Sequence, residues 1–307
     1  MREQLTKIKN YATSPGMKLL YTIMPLLILV FIFSYVPLFG WIYAFFDYRA
    51  GYKLFDQVFV GLRNFRRILD PYSGFLNALQ NTLVLNGLGL LVSPLPIVFA
   101  ILLAELRQKR ISRVVQTISS IPNFISWVLV YSLAFSFFAS EGLVNLLFLN
   151  LRLINRPTNV LGDPNIAYFF QTIMLLWKTM GWSAIIYIAA MSGIDQELYS
   201  AAEVDGAGRF QKVWHVTIPG ILPTYIVLLL LAVSNILSNS FEQFFVFRNP
   251  LVTSKLTTLD IFIYLRGIAA GDFAFATAVG IMRSIVSITL LFSVNKLAKV
   301  IRGSTIV

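Results

Sequence analysis

The chain has 307 residues, 57% of them hydrophobic and only 13% charged, with a formal net charge of +11 and a mean hydropathy of +0.74. A soluble domain of this length needs far more charge to cover its surface, so the composition excludes one and indicates an all-α polytopic membrane protein. Cysteine is absent, which removes disulfides and thiol chemistry. The basic excess has no aqueous domain from which to bind nucleic acid, and is assigned to snorkelling cations and membrane lipid.

Apolar runs of about 20 residues mark bilayer spans, and six are predicted in chain order. The first, Lys18–Phe45, follows basic residues as a signal peptide would. It is too long for a signal's apolar core and no small-residue cleavage site follows, so it reads as a retained helix. Next comes "VGLRNFRRILDPY", with Leu62, Phe65, Ile68 and Leu69 at helical spacing opposite Arg63, Arg66 and Arg67. It is expected as a short amphipathic helix lying on the membrane surface. The second span is Thr82–Ala104, with Pro94 and Pro96 as kink sites. The third is Val114–Phe138, with Pro122 as another. "LVNLLFLNLRLI" is too short and interrupted to cross. The fourth, fifth and sixth spans are Ile166–Ala190, Ile221–Phe247 and Phe273–Leu297. No repeat or linker divides the chain, so residues 1–307 are expected as one transmembrane domain.

Orientation rests on Lys and Arg. The short loop 105–113 carries Arg107, Lys109, Arg110 and Arg113, which are hard to place outside a cell. Both termini and residues 191–218 are then expected on the cytoplasmic side of the membrane.

That last segment contains "LYSAAEVDGAGRFQKVWHVTIP", a polar stretch between two apolar spans. Gln196 to Val204 has residues for two helical turns, ended by Gly206. Ala201 and Ala202 are small enough to let another surface approach closely. The segment reads as a protruding helix suited to docking on another protein.

Catalytic and metal-binding chemistry is poorly supplied. The chain lacks a P-loop pattern, has His215 as its single histidine, and has Glu242 as the one carboxylate within a predicted span. No catalytic or metal residue is assigned. In span five, Asn235, Asn239 and Glu242 fall at i, i+4 and i+7 on one helix face, flanked by Ser238 and Gln243. In span four, Gln171, Lys178 and Trp182 share a face, with Trp177 and Tyr187 nearby. Amides, a carboxylate and aromatic rings can line a passage for a polar solute. The alternative is structural: amides bonding helix to helix, and Lys178 paired with Glu242 or a backbone carbonyl. Arg283 stands equally as pathway lining or as an anchor between subunits.

The loop motif carries a resemblance. Ala201, Ala202, Gly206, Val216, Ile218 and Pro219 are in register with the cytoplasmic loop of binding-protein-dependent ABC importer permeases, where Ser200 replaces the usual glutamate and Ile218 the usual leucine. "IPNFISW", "WKTMGWSAIIYIAAMSGIDQELYSAAEVDGA", "WHVTIPGILPT" and "FEQFFVFRNPLV" resemble the branch that imports complex oligosaccharides (LplB-like). The resemblance covers nearly the whole chain. It implies a type I (MetI-like) permease of six helices that pairs with a second, homologous permease. Two ATPase subunits, which bind ATP and Mg, would take the loop through Ser200, Ala201, Ala202, Asp205, Gly206 and Pro219. An extracytoplasmic solute-binding protein would deliver an oligosaccharide. The competing class is an ion-coupled secondary carrier, for which inverted repeats would be expected.

Overall fold

The computed structural model describes residues 15–238 and 240–302. Among them are six helical segments long and apolar enough to cross a membrane: Leu19–Phe45, Phe75–Glu105, Trp127–Asn150, Ala167–Ser192, Arg209–Ser234 and Phe273–Lys296. Beyond one isolated bridge between Phe46 and Phe59, the described chain is helices and turns. The chain divides into two compact units, residues 1–68 with 266–281, and residues 69–265 with 282–307.

In the first unit, span one is an α-helix, Pro15–Val30, that loosens into a π-turn, Phe31–Tyr35, and then tightens into a 3₁₀ stretch, Val36–Phe45. Pro37 lies at the start of that last stretch, where its missing N–H costs nothing. The following helix is Arg63–Ile68. Its buried residues are Asn64 and Ile68, while Leu62 and Leu69 are exposed. The reason is polar: the Asn64 amide donates to the Ala44 carbonyl (2.9 Å) and to that of Phe46 (3.3 Å). Arg67 pairs with Asp272 at 2.6 Å and lies over the Phe275 ring, and Arg63 pairs with Asp47 at 3.2 Å. These bonds fasten the helix to protein, and hydrophobic periodicity alone does not reveal them.

The second unit holds the main core, where Leu85, Trp127, Val130, Phe170, Phe244 and Phe247 pack together. Span two bends at Ser93–Pro94, between helices Phe75–Val92 and Leu95–Glu105, where the sequence predicts it. Span three departs further from expectation: the segment long and apolar enough to cross is Trp127–Asn150 rather than Val114–Phe138, and it takes in most of "LVNLLFLNLRLI". Helix Lys109–Ser120 stops, a 3₁₀ turn Ile121–Phe124 follows, and a new helix starts at Trp127 with the Ser126 hydroxyl as its N-cap. Helix Lys109–Ser120 crosses span four at Gly181, where an added Cβ would lie 2.2 Å from the Ser119 carbonyl oxygen. No larger residue fits that crossing.

Span five is the largest correction. A continuous helix to Phe247 is expected. Instead the helix ends at Ser234, the chain unwinds, and a separate helix runs Phe241–Phe247. The i, i+4, i+7 arithmetic that places Asn235 and Glu242 on one face does not apply across such a break. Asn239 lies outside the described residues.

Candidate functional site

The loop helix, Gln196–Val204, begins at Asp195, whose carboxylate accepts from the Glu197 N–H at 2.9 Å. It ends in a Schellman motif: the Ala207 N–H donates to the Ala202 carbonyl (2.8 Å) and the Gly206 N–H to that of Glu203 (3.0 Å). Gly206 supplies the left-handed residue this motif needs, at φ +77°. Two side-chain ties brace the loop. Tyr199 shares a hydrogen bond with buried Thr217 at 3.0 Å, and Lys212 donates to Glu203 at 2.6 Å. The Lys212 ammonium holds the Glu203 carboxyl below the usual carboxylate range.

The outer face of this helix is apolar and open. Ala201 is exposed, Ala202 half-buried, and Val204 89% exposed. Ser200 is exposed and turns its hydroxyl back to the Gln196 carbonyl. Asp205 and Gly206 are exposed at the helix end, with nothing within 4 Å of a Cβ built on Gly206. Helix resumes at Arg209, earlier than the sequence suggests, and runs through a π-turn, Val213–Thr217, into Ile218–Ser234. Pro219 stands at the second position of that last helix, exposed.

The polar residues of spans four and five fall into three groups. Gln171 and Gln243 are buried together: the Gln243 amide donates to the backbone and side-chain oxygens of Gln171, both at 3.0 Å, and Gln243 is 0% exposed. Lys178, 7% exposed, donates its three ammonium protons to the carbonyls of Pro122 (3.0 Å), Asn123 (3.0 Å) and Ile125 (2.6 Å), over the Trp127 ring. Those carbonyls belong to the turn between helices Lys109–Ser120 and Trp127–Phe138, where the Pro122 carbonyl also accepts from the Ile125 N–H at 3.3 Å. Of the readings open to Lys178 in the sequence, this geometry is the backbone-carbonyl one. It makes no ion pair with Glu242, although the two are within electrostatic range.

The third group is exposed. Trp182 meets Phe124 edge to face at 5.5 Å, and both rings are open to the surroundings, as is Trp177. Asn235 caps the end of its helix, its amide donating to the Leu231 carbonyl at 3.0 Å. Glu242 is exposed in the first turn of Phe241–Phe247, where the helix dipole favours a carboxylate. Tyr187 is buried beside a pocket of about 290 Å³, lined also by Gly89, Ser93, Thr179 and Ser183. Sequence reasoning missed Asn86, Asn81 and Asp260. Asn81 accepts from Tyr168 at 2.6 Å and donates to the carbonyls of Ser254 and Thr257. The signal available was a carboxamide at mid-span in "NALQNTLVLN".

Residues 93–303 match a family described as the binding-protein-dependent transport system inner membrane component. Protein LplB of Bacillus subtilis (strain 168) is 37% identical, over 92% of this chain and 89% of its own length. The polygalacturonan/rhamnogalacturonan transport system permease protein YteP of the same organism is 36% identical, over 90% and 86%. Among solved structures, a bacterial alginate ABC transporter in complex with an alginate pentasaccharide-bound periplasmic protein contains a chain that superposes with a TM-score of 0.85. That chain is 29% identical, covering 99% of this chain and 100% of its own.

Proposed function

The chain belongs to the binding-protein-dependent transport system inner membrane component family, and we propose on that premise how it works as the permease of an ABC importer for oligosaccharides or polysaccharide fragments. It pairs with a second, homologous permease, and the two enclose the sugar pathway. Two ATPase subunits bind ATP and Mg, and one of them receives the loop helix Gln196–Val204. Their closure on ATP pulls that helix and turns the pathway outward, and hydrolysis resets it. An extracytoplasmic binding protein delivers the cargo. Both termini and the loop face the cytoplasm, and this chain performs no bond chemistry of its own.

The observation that carries the reading is the loop helix itself. Its exposed face of Ala201 and Val204 is small and apolar, and a Schellman motif closes it at Gly206. A mere connection between two spans gains nothing from presenting such a face to water. On the cargo side, Glu242, Asn235, Trp177 and Trp182 are exposed and supply acceptors, donors and ring faces.

Purification under a tag on this chain tests the proposal. An ATPase and a second permease should co-purify, and reconstituted vesicles should take up oligosaccharide only with ATP and the binding protein. Uptake by the lone chain, driven by an ion gradient, would return the secondary carrier.

A further inference from the structure

The fifth span unwinds between Ser234 and Phe241. Backbone outside a helix still needs partners for its N–H and C=O groups wherever it is shielded from water. Here the partners come from other elements of the same unit. Asn86 in span two donates to the carbonyls of Ile236 (2.5 Å) and Ser238 (3.3 Å). Arg283 in span six donates through Nη2 to the Ser238 hydroxyl at 2.5 Å and through Nη1 to the Asp260 carboxylate. Asp260 stands in the first turn of helix Leu259–Tyr264.

The arrangement divides the guanidinium between two tasks. One arm is anchored by an ion pair to a regular helix, and the other reaches into the break. Leu237, Leu259, Met282 and Val286 line the same pocket as Arg283, and in such apolar surroundings a pair is screened little by solvent. A pair serving only to tie helix to helix has no need of Ser238. The break, in turn, is the hinge between Asn235 at the end of one helix and Glu242 in the first turn of the next.

We propose that Arg283, anchored by Asp260 and assisted by Asn86, is a latch on the unwound stretch of span five, and that it sets where Asn235 and Glu242 stand toward cargo. The inference rests on the transport reading above. Arg283 and Asp260 are positioning residues that do not themselves touch the sugar.

The test uses the whole transporter in proteoliposomes with its binding protein. Ser238→Ala removes the arm on the break and leaves the ion pair whole. Arg283→Lys keeps the charge but cannot span both partners, and Arg283→Gln removes the ion pair to Asp260. The chain has no native cysteine, so Ser240→Cys, at an exposed position beside the break, reports its mobility through the rate of maleimide labelling. That rate should rise roughly tenfold or more in Ser238→Ala, the effect of losing one hydrogen bond to a charged group. Uptake of tetragalacturonide, arabinotetraose and maltotetraose is measured alongside. For whichever the wild type imports, KM should rise about threefold or more with Vmax little changed, in line with a displaced cargo contact. An unchanged labelling rate in Ser238→Ala overturns the latch. Faster labelling with lower Vmax at constant KM overturns its positioning role and leaves a structural tie. If the wild type imports none of the three, the cargo reading fails, and the labelling rate still decides the latch. Should Arg283→Gln fail to assemble, Ser238→Ala decides alone.

Discussion

Lys178 and Glu242 show how two charges, paired on paper, take different work. Lys178 has three protons and the span-three break has three carbonyls for them. Lys178→Met would keep the bulk and remove all three donors; the Pro122 carbonyl would retain the Ile125 N–H, and each carbonyl left without a partner costs about 1–3 kcal/mol. The variant should assemble poorly and melt at a lower temperature in detergent, while Lys178→Gln, with one amide donor group, should fall between. Equal melting of wild type and Lys178→Met would show that water takes over the carbonyls. Glu242 is exposed instead, so its mutation should read out in transport. With a neutral sugar, Glu242→Gln should slow uptake several-fold by weakening hydrogen bonds to hydroxyls, roughly 1 kcal/mol of binding. With an acidic sugar the same change should be harmless or helpful, because it removes a like charge. Initial uptake rates for paired neutral and acidic tetrasaccharides separate the two cases. If Glu242→Leu transports both sugars like wild type, Glu242 is no part of the pathway.

At the scale of elements, the loop helix depends on one backbone conformation. Gly206 sits at φ +77° with open space around its Cβ position, so size does not matter within this chain. Gly206→Ala should cost about 1–2 kcal/mol of local strain, and Gly206→Asn, which tolerates that conformation, less. Gly206→Trp adds little strain beyond Ala but places a large ring at the docking face. Stimulated ATP hydrolysis and uptake should therefore fall together in Trp, far below the Ala level, with the permease pair still inserted. Similar rates for Ala and Trp would remove the docking role. The Lys212–Glu203 pair adds a condition on pH. Because Glu203 is held below its ordinary range, the pair's contribution is present above the ordinary carboxylate pKa and is lost only as pH falls through the lowered value. Coupling should thus be insensitive to this pair at neutral pH. The same scale explains why the helix-face reading of span five fails. A helical wheel presumes an unbroken helix, and nothing in "SNILSNSFEQ" announces the break except polar residues that are also compatible with a continuous one.

For the whole molecule, topology is the open expectation, resting on the cations of loop 105–113. Single cysteines at Ser200 and Ser304 should resist an impermeant thiol reagent in intact cells, whereas one at Ser73, between spans one and two, should react. Rapid labelling of Ser200 from outside would invert the orientation, and the loop could no longer meet an ATPase on the cytoplasmic side. Such labelling is unambiguous in a chain without native cysteine.

Sequence by itself determined the class, the number of spans, the bends at Pro94 and Pro122, and the loop helix with its glycine stop. Each of these depends on composition or on interactions within a few residues: apolar length, the missing proline N–H, and the left-handed tolerance of glycine. Tertiary structure decided where polar side chains are spent. Asn64, Asn86, Lys178 and Arg283 each find partners 18 or more residues away. Their partners are mainly backbone carbonyls left open by breaks in other helices. A break in a membrane helix needs other groups to complete its hydrogen bonds, and here distant side chains supply several of them. The break and its partner therefore come into existence together, in the fold and not in either segment alone.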